Sequence, residues 1–162
     1  MGAVLSFEVA RLLKMNGSPE PLHLFVSGAR APHLPDRHSR TYDLPEAEFL
    51  WELQRLNGTP AEVLQNPELM NLLLPVLRAD FEACQTYVYN CGCTLNCPVT
   101  AFGGLQDVVT HDELDSWRKQ SSGAFRMHTF PGDHFFINSQ QQNILKILSA
   151  GLAECFQNRR AA

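Results

Sequence analysis

Cys97–Ile137 reads CPVTAFGGLQDVVTHDELDSWRKQSSGAFRMHTFPGDHFFI, and it holds two apolar runs, each followed by a tight loop. The first run, Cys97 to Phe102, gives way to the loop GGLQDVV; the second, Phe125 to Phe130, gives way at Pro131-Gly132 to the loop FPGDHFF. Short apolar runs bounded by Gly and Pro predict buried strands. Between them Thr110, followed three residues later by Glu113, is the capping box that opens a helix. Leu114 and Trp117 give that helix an inward face, and Ser122-Gly123 closes it. A strand, a helix and a second strand in succession predict a parallel pair, because parallel strands need a crossover element. Alternation along the second strand puts Phe125, Met127 and Thr129 on one face and Arg126, His128 and Phe130 on the other.

Working outward, Ala3 to Met15 carries Leu5, Val9, Leu12 and Leu13 at helical spacing and stops at Asn16-Gly17. This predicts a helix that buries those four residues. Leu22 to Val26, with a turn signal at Ser27-Gly28, predicts another core strand. Residues 31–45 shift to Pro, His, Arg and Asp and read as an exposed connection. Glu46 to Leu56, with Phe49, Leu50, Leu53 and Leu56, predicts a helix. Asn66-Pro67 opens another, striped by Leu69, Leu72, Leu73, Val76, Leu77, Phe81 and Cys84, which Pro75 is expected to divide or kink. A last helix spans about Gln140 to Phe156, carrying Ile144, Leu145, Ile147, Leu148, Leu152 and Phe156. The whole predicts an α/β protein with about three parallel strands, flanking helices and a helical insertion over the sheet.

Composition agrees with one globular unit: 162 residues, 44% hydrophobic and 19% charged. The balance of 13 Lys plus Arg against 17 Asp plus Glu, with no basic run longer than Arg159-Arg160, predicts no nucleic-acid partner. Apolar runs such as Leu72 to Leu77 fall far short of the roughly 20 residues that cross a bilayer, so no membrane association is expected. Five cysteines are an odd number, and Cys91, Cys93 and Cys97 form a C-x-C-x3-C cluster with His111 the one histidine within twenty residues downstream. Reduced thiols in the cytoplasm are the better reading than a metal site, and no metal or cofactor is expected.

The chemistry centres on Asp107, five residues past Phe102, and His134, four past Phe130. Both fall in loops at the carboxyl ends of parallel strands, where open α/β sheets bind ligands. A carboxylate and an imidazole brought together there are the acid and base of a nucleophile-acid-base triad. From spacing alone a second reading stands beside it, in which Asp107 is a turn aspartate, His134 a helix-start histidine and Asp133 a capping acid. His23, His33, His38 and His111 read as structural or solvated, and His128 falls mid-strand. Ser6, Ser27, Ser121, Ser122 and Ser139 lie in no G-x-S-x-G turn, and Cys97, before a proline at a strand start, reads as a packing residue.

At this point a resemblance becomes specific. The run Cys97–Ile137 closely resembles the C-terminal segment of type II thioesterases, the α/β-hydrolases associated with nonribosomal peptide and polyketide synthases. EPLHLFVSGARAP (Glu20–Pro32) and LPVLRADFEACQTY (Leu74–Tyr87) resemble the same family, as a core strand and a lid helix. Medium-chain acyl carrier protein hydrolases share this architecture.

The resemblance covers nearly the whole chain and implies the C-terminal part of an α/β-hydrolase fold. Residues 1–42 and 94–162 are then a partial core and 43–93 a helical lid. It implies Asp107 as triad acid, His134 as triad base and Phe135-Phe136 packing beneath the histidine. The implied substrate is an acyl thioester on the phosphopantetheine arm of an acyl or peptidyl carrier protein. Met1-Gly2 resembles the last two residues of the G-x-S-x-G turn, which makes the backbone nitrogen of Met1 an oxyanion-hole position. The nucleophilic serine is absent from the sequence. The expectation is a thioesterase truncated before its nucleophile, inactive alone, with a missing N-terminal half as a further partner and an unpaired sheet edge at Leu22 to Val26. The alternative is a non-catalytic carrier-protein-binding module or a decayed fragment.

Overall fold

The computed structural model describes residues 1–35, 40–56 and 58–161, residues 158–161 by their backbone alone; His38 lies outside the described residues. In chain order the elements are α1 (Gly2–Met15), β1 (Leu24–Ser27), α2 (Glu46–Leu56), α3 (Ala61–Leu64), α4 (Pro67–Gln85), β2 (Val99–Gly104), α5 (His111–Asp115), β3 (Phe125–Phe130), α6 (Phe136–Ser139) and α7 (Gln141–Ala161). They divide into two compact units, one of Met1 with Pro35–Tyr89, the other of Gly2–Leu34 with Asn90–Ala162.

The second unit is built on a parallel three-stranded sheet in the order β1-β2-β3. β2 is buried at every position, as a central parallel strand covered on both faces must be. The register sets Val26 beside Ala101 and Phe102 beside His128. One face is covered by α1, α5 and the 3₁₀ turn Ser116–Gln120, where Phe7 packs edge-on against Trp117 at 5.6 Å and Leu114 lies over Gly103. On the other face Phe102, Phe130, Phe136 and Ile144 form a cluster that Phe25, Ile147 and Leu148 extend. The predicted architecture of three parallel strands with flanking helices is therefore present. Among the described residues β1 and β3 form the edges of the sheet.

α1 forms where the spacing places it but buries a different side. Phe7, Ala10 and Arg11 face inward, whereas Leu5, Val9 and Leu12 are 56%, 56% and 57% exposed and Leu13 is 36% exposed. The helix is apolar on two sides, so periodicity alone leaves its rotation open. Packing decides it: Phe7 fills the space against Trp117, and the Arg11 guanidinium lies over the Phe7 ring and donates to Asn90 O at 2.7 Å.

The first unit is helical and has its own core of Phe49, Leu53, Met70 and Leu74, supported by Leu44, Leu50, Val63, Leu64, Leu77 and Phe81. Asn66 caps α4 by accepting from the backbone of Glu68 and Leu69, with Pro67 at the first helical position. Of the two expectations for Pro75, a division or a kink, the division does not occur: α4 runs through Pro75 as one helix. A proline removes one intrahelical donor, and the packing of Met70 and Leu74 with half-buried Leu77 and Phe81 outweighs that loss. The inward stripe is thus Met70, Leu74, Leu77 and Phe81, while Leu69, Leu72, Val76 and Cys84 are exposed. No helix among the described residues is long and apolar enough to cross a membrane.

Candidate active site

The loops after β2 and β3 are bound to each other before any functional side chain is considered. Leu105 N donates to Phe130 O at 2.8 Å, Gln106 N to Gly132 O at 3.0 Å, and Gly132 N to the Gln106 side-chain oxygen at 2.6 Å. Gly104 lies where the loops touch, and a Cβ on it would stand 2.3 Å from Asp133 O and 2.5 Å from Gly132 O. Gly132, at φ +122°, makes the turn that sends the chain back over this contact. Asp133 Oδ1 accepts from Phe135 N at 2.9 Å, so this aspartate closes its own loop and has a structural part.

These bonds bring Asp107 and His134 together. His134 Nδ1 lies 3.1 Å from Asp107 Oδ2 and 3.3 Å from Oδ1, and Asp107 Oδ1 also accepts from Val109 N at 3.3 Å. The Asp107 side chain is 0% exposed and that of His134 is 49% exposed. A buried carboxylate needs partners that stabilise its charge, and here it has an imidazole and a backbone N–H. Because the carboxylate accepts, Nδ1 of a neutral His134 carries the proton and Nε2 holds the free lone pair. His134 sits edge-on to Phe135 at 5.3 Å, and Phe136 is buried below in the cluster with Phe130.

A third chain segment completes the setting, and the sequence reading treats it only as a turn. Gly28 follows β1, with φ +56° and its N–H donating to Phe102 O at 2.9 Å. A Cβ there would stand 3.0 Å from His134 Cε1, 3.2 Å from Nδ1 and 3.6 Å from Asp107 Oδ2, so the imidazole lies against bare backbone. The segment after Gly28 is held by Trp117, whose indole N–H donates to Ala29 O at 2.7 Å, and by Glu113, which lies 3.8 Å from Arg30. Glu113 is also the acid of the capping box that starts α5. The segment of α5 and the 3₁₀ turn, between the Asp107 and His134 loops, therefore also fixes the backbone beside the histidine. No local signal marks Gly28 for this part.

Met1 immediately precedes α1 and is exposed. His33 shares a 2.6 Å hydrogen bond with Gln120 and His23 a 2.9 Å one with Thr100; burial lowers the pKa of both rings. His111 is exposed. Cys97 is buried, which pushes its thiol above its ordinary value. Among the described residues no group of three or more His, Cys, Asp or Glu side chains is placed to hold a metal ion.

Asp107 and His134 thus stand paired on loops at the carboxyl ends of a parallel sheet, and the family follows from comparison. The family model described as "Thioesterase domain" matches residues 1–152, so the chain belongs to the thioesterase family. It is 46% identical over 156 residues to the linear gramicidin dehydrogenase LgrE of Brevibacillus parabrevis, a match covering 94% of this chain and 59% of that protein. It is 44% identical over 149 residues to the gramicidin S biosynthesis protein GrsT of Aneurinibacillus migulanus, covering 91% of this chain and 58% of that one. In structure it is similar to the RedJ thioesterase from the prodiginine pathway of Streptomyces coelicolor, with a TM-score of 0.84, 35% identity, and coverage of 93% of this chain and 60% of that one. The chain thus spans 59% and 58% of the lengths of these two relatives.

Proposed function

We propose that this chain carries the acid and base of a thioester hydrolase that releases acyl groups from the phosphopantetheine arm of an acyl or peptidyl carrier protein. The observation that carries the reading is the buried Asp107 carboxylate 3.1 Å from His134 Nδ1, on paired loops at the carboxyl ends of β2 and β3. Family membership supports the thioester as substrate.

In this mechanism His134 Nε2 takes the proton of an attacking hydroxyl as the new carbon–oxygen bond forms at the thioester carbonyl. Asp107 stabilises the imidazolium that results. The imidazolium then gives its proton to the departing thiolate, and a water, activated in the same way, releases the acid. The proposal assigns the backbone nitrogen of Met1 to the oxyanion, because Met1-Gly2 matches the last two residues of a G-x-S-x-G turn. It assigns residues 43–93 to a lid over the acyl chain. No serine of these 162 residues lies in a G-x-S-x-G turn, so the pair is proposed to serve a hydroxyl from outside this sequence, and the chain alone to turn over no thioester.

The test is hydrolysis of acetyl- and longer acyl-loaded carrier protein by the chain, alone and mixed with the segment of GrsT that it does not match. The expected result is turnover only in the mixture, reduced about 10⁴-fold by Asp107→Asn, which leaves the imidazole in the wrong tautomer. Turnover in the mixture that is indifferent to Asp107→Asn and His134→Ala refutes the assignment. A folded chain that binds the carrier protein without turnover in either case points to a binding module.

A further inference from the structure

The far end of the sheet holds a second group of reactive side chains that the proposed hydrolase chemistry does not use. His23 stands just before β1, at the amino end of the strand whose carboxyl end leads to Gly28. Its ring stacks on Phe25 at 4.0 Å and shares a 2.9 Å hydrogen bond between Nε2 and Thr100 Oγ1. α7 crosses this face closely because residue 151 is a glycine: a Cβ there would stand 3.1 Å from the Phe25 ring and 3.5 Å from that of His23. One turn further on, that approach delivers Cys155, with Sγ 3.3 Å from Leu22 O and 3.7 Å from His23 Nδ1.

His23, Thr100 and Cys155 line an open cavity of about 170 Å³ together with Pro98, Arg126 and Glu154. Arg126 and Glu154 form a 2.7 Å ion pair at its wall. We propose that Cys155 and His23 form a thiol–imidazole pair that makes this cavity a site of thiol–disulfide exchange with low-molecular-weight disulfides.

The chemistry balances within the site and one incoming molecule. The Cys155 S–H, which can donate to Leu22 O or to His23 Nδ1, turns from the carbonyl to the ring, gives up the Leu22 O bond and passes its proton to Nδ1. The thiolate attacks one sulfur of the incoming disulfide, a new S–S bond forms to Cys155, and the old S–S bond breaks. The departing thiolate takes the proton back from the imidazolium. Cys155 is oxidised to a mixed disulfide, and the released half of the incoming molecule is reduced to a thiol.

The surroundings fit this chemistry. In the tautomer that donates Nε2–H to Thr100 Oγ1, Nδ1 is the lone-pair nitrogen and faces the thiol. Burial first, then the charge of Arg126, keeps His23 below its ordinary pKa against the opposing effect of Glu154, so the ring is neutral and able to accept at pH 7. Arg126 lines the same cavity with its charge shared with Glu154. Cys97 is buried and its thiol pushed up, which removes it as a competitor.

The experiment treats the full chain with glutathione disulfide at pH 7 and follows each cysteine by peptide mass mapping. Cys155, half-buried, is expected to form the mixed disulfide about tenfold faster than the exposed Cys84 and Cys91, because the imidazole beside it removes the thiol proton for the attack and this outweighs lower access. His23→Asn is expected to bring the Cys155 rate down to that of Cys84 while leaving Cys84 unchanged. In the unaltered chain, a Cys155 rate no greater than that of Cys84 or Cys91 overturns the proposal, and this comparison does not depend on any variant folding. A folded His23→Asn chain in which Cys155 stays fast also overturns it, since the imidazole would then contribute nothing.

Discussion

Gly28→Ala separates two effects that meet at the candidate site, and Gly17→Ala is its control. Both glycines have positive φ, +56° and +65°, so an L-alanine at either costs about 1–2 kcal/mol in the left-handed region. The smaller freedom of alanine in the unfolded chain offsets about 0.4–1 kcal/mol of that cost, equally in both changes. The surroundings differ. A Cβ at Gly17 meets nothing within 4 Å, whereas one at Gly28 stands 3.0 Å from His134 Cε1 and 3.2 Å from Nδ1.

The ring is 49% exposed and free to yield outward, so the contact is relieved by displacing His134 a few tenths of an ångström. That displacement stretches a 3.1 Å Nδ1–Oδ2 hydrogen bond toward the limit of useful geometry. Both variants should therefore lose about 1 kcal/mol in urea unfolding and about 2–4 °C in Tm, as expected for a chain of this size. Only Gly28→Ala should abolish the downfield proton resonance of an Nδ1–H held by a carboxylate. An unchanged resonance in Gly28→Ala, or its loss in Gly17→Ala, refutes the argument that bare backbone at residue 28 positions the imidazole.

Three further outcomes follow from the packing. Replacing Leu5, Val9 or Leu12 singly by Gln should change stability by no more than about 0.5 kcal/mol, while Phe7→Ala should cost about 3–5 kcal/mol; urea denaturation showing the reverse order would mean the opposite face of α1 is inward. Trp117→Phe removes the indole donor from the carbonyl of half-buried Ala29 and should cost about 0.5–1.5 kcal/mol, read by the same method, with no loss if that carbonyl is otherwise satisfied. His23 and His33 both titrate below their ordinary 6.5 when folded, so the unfolded chain binds the extra protons first as pH falls. Stability from these two groups is fully present above about pH 6.5 and declines below it; the urea midpoint should drop between pH 7 and 5.5, and less steeply in His33→Asn, with equal slopes refuting the contribution of His33.

Much of the site is legible in the sequence because its signals are local. Gly103-Gly104 and Pro131-Gly132 end their strands by backbone chemistry that acts within two or three residues, and they place Asp107 and His134 in loops of the same kind. The Thr110–Glu113 box is local as well, and both of its hydrogen bonds form. Gly28 was legible only as a turn, since the histidine it supports lies at the other end of the chain. The Cys155–His23 contact is hidden for the same reason, being made by register and by the close approach of α7 at Gly151.

The sequence by itself therefore determined the three strands, their parallel pairing and the order of the longer helices, but not the short α3 and α6 or the 3₁₀ turn that follows α5. It also placed an acid and a base in carboxyl-end loops, because periodicity, caps and turn residues act through neighbouring backbone. Tertiary structure alone decided which side of α1 is buried, that α4 continues through Pro75, and that Asp107 is fully enclosed while His134 is not. Each of these is settled by competition for space among segments distant along the chain, where Phe7 against Trp117 or a ring against Gly28 outweighs the local preference.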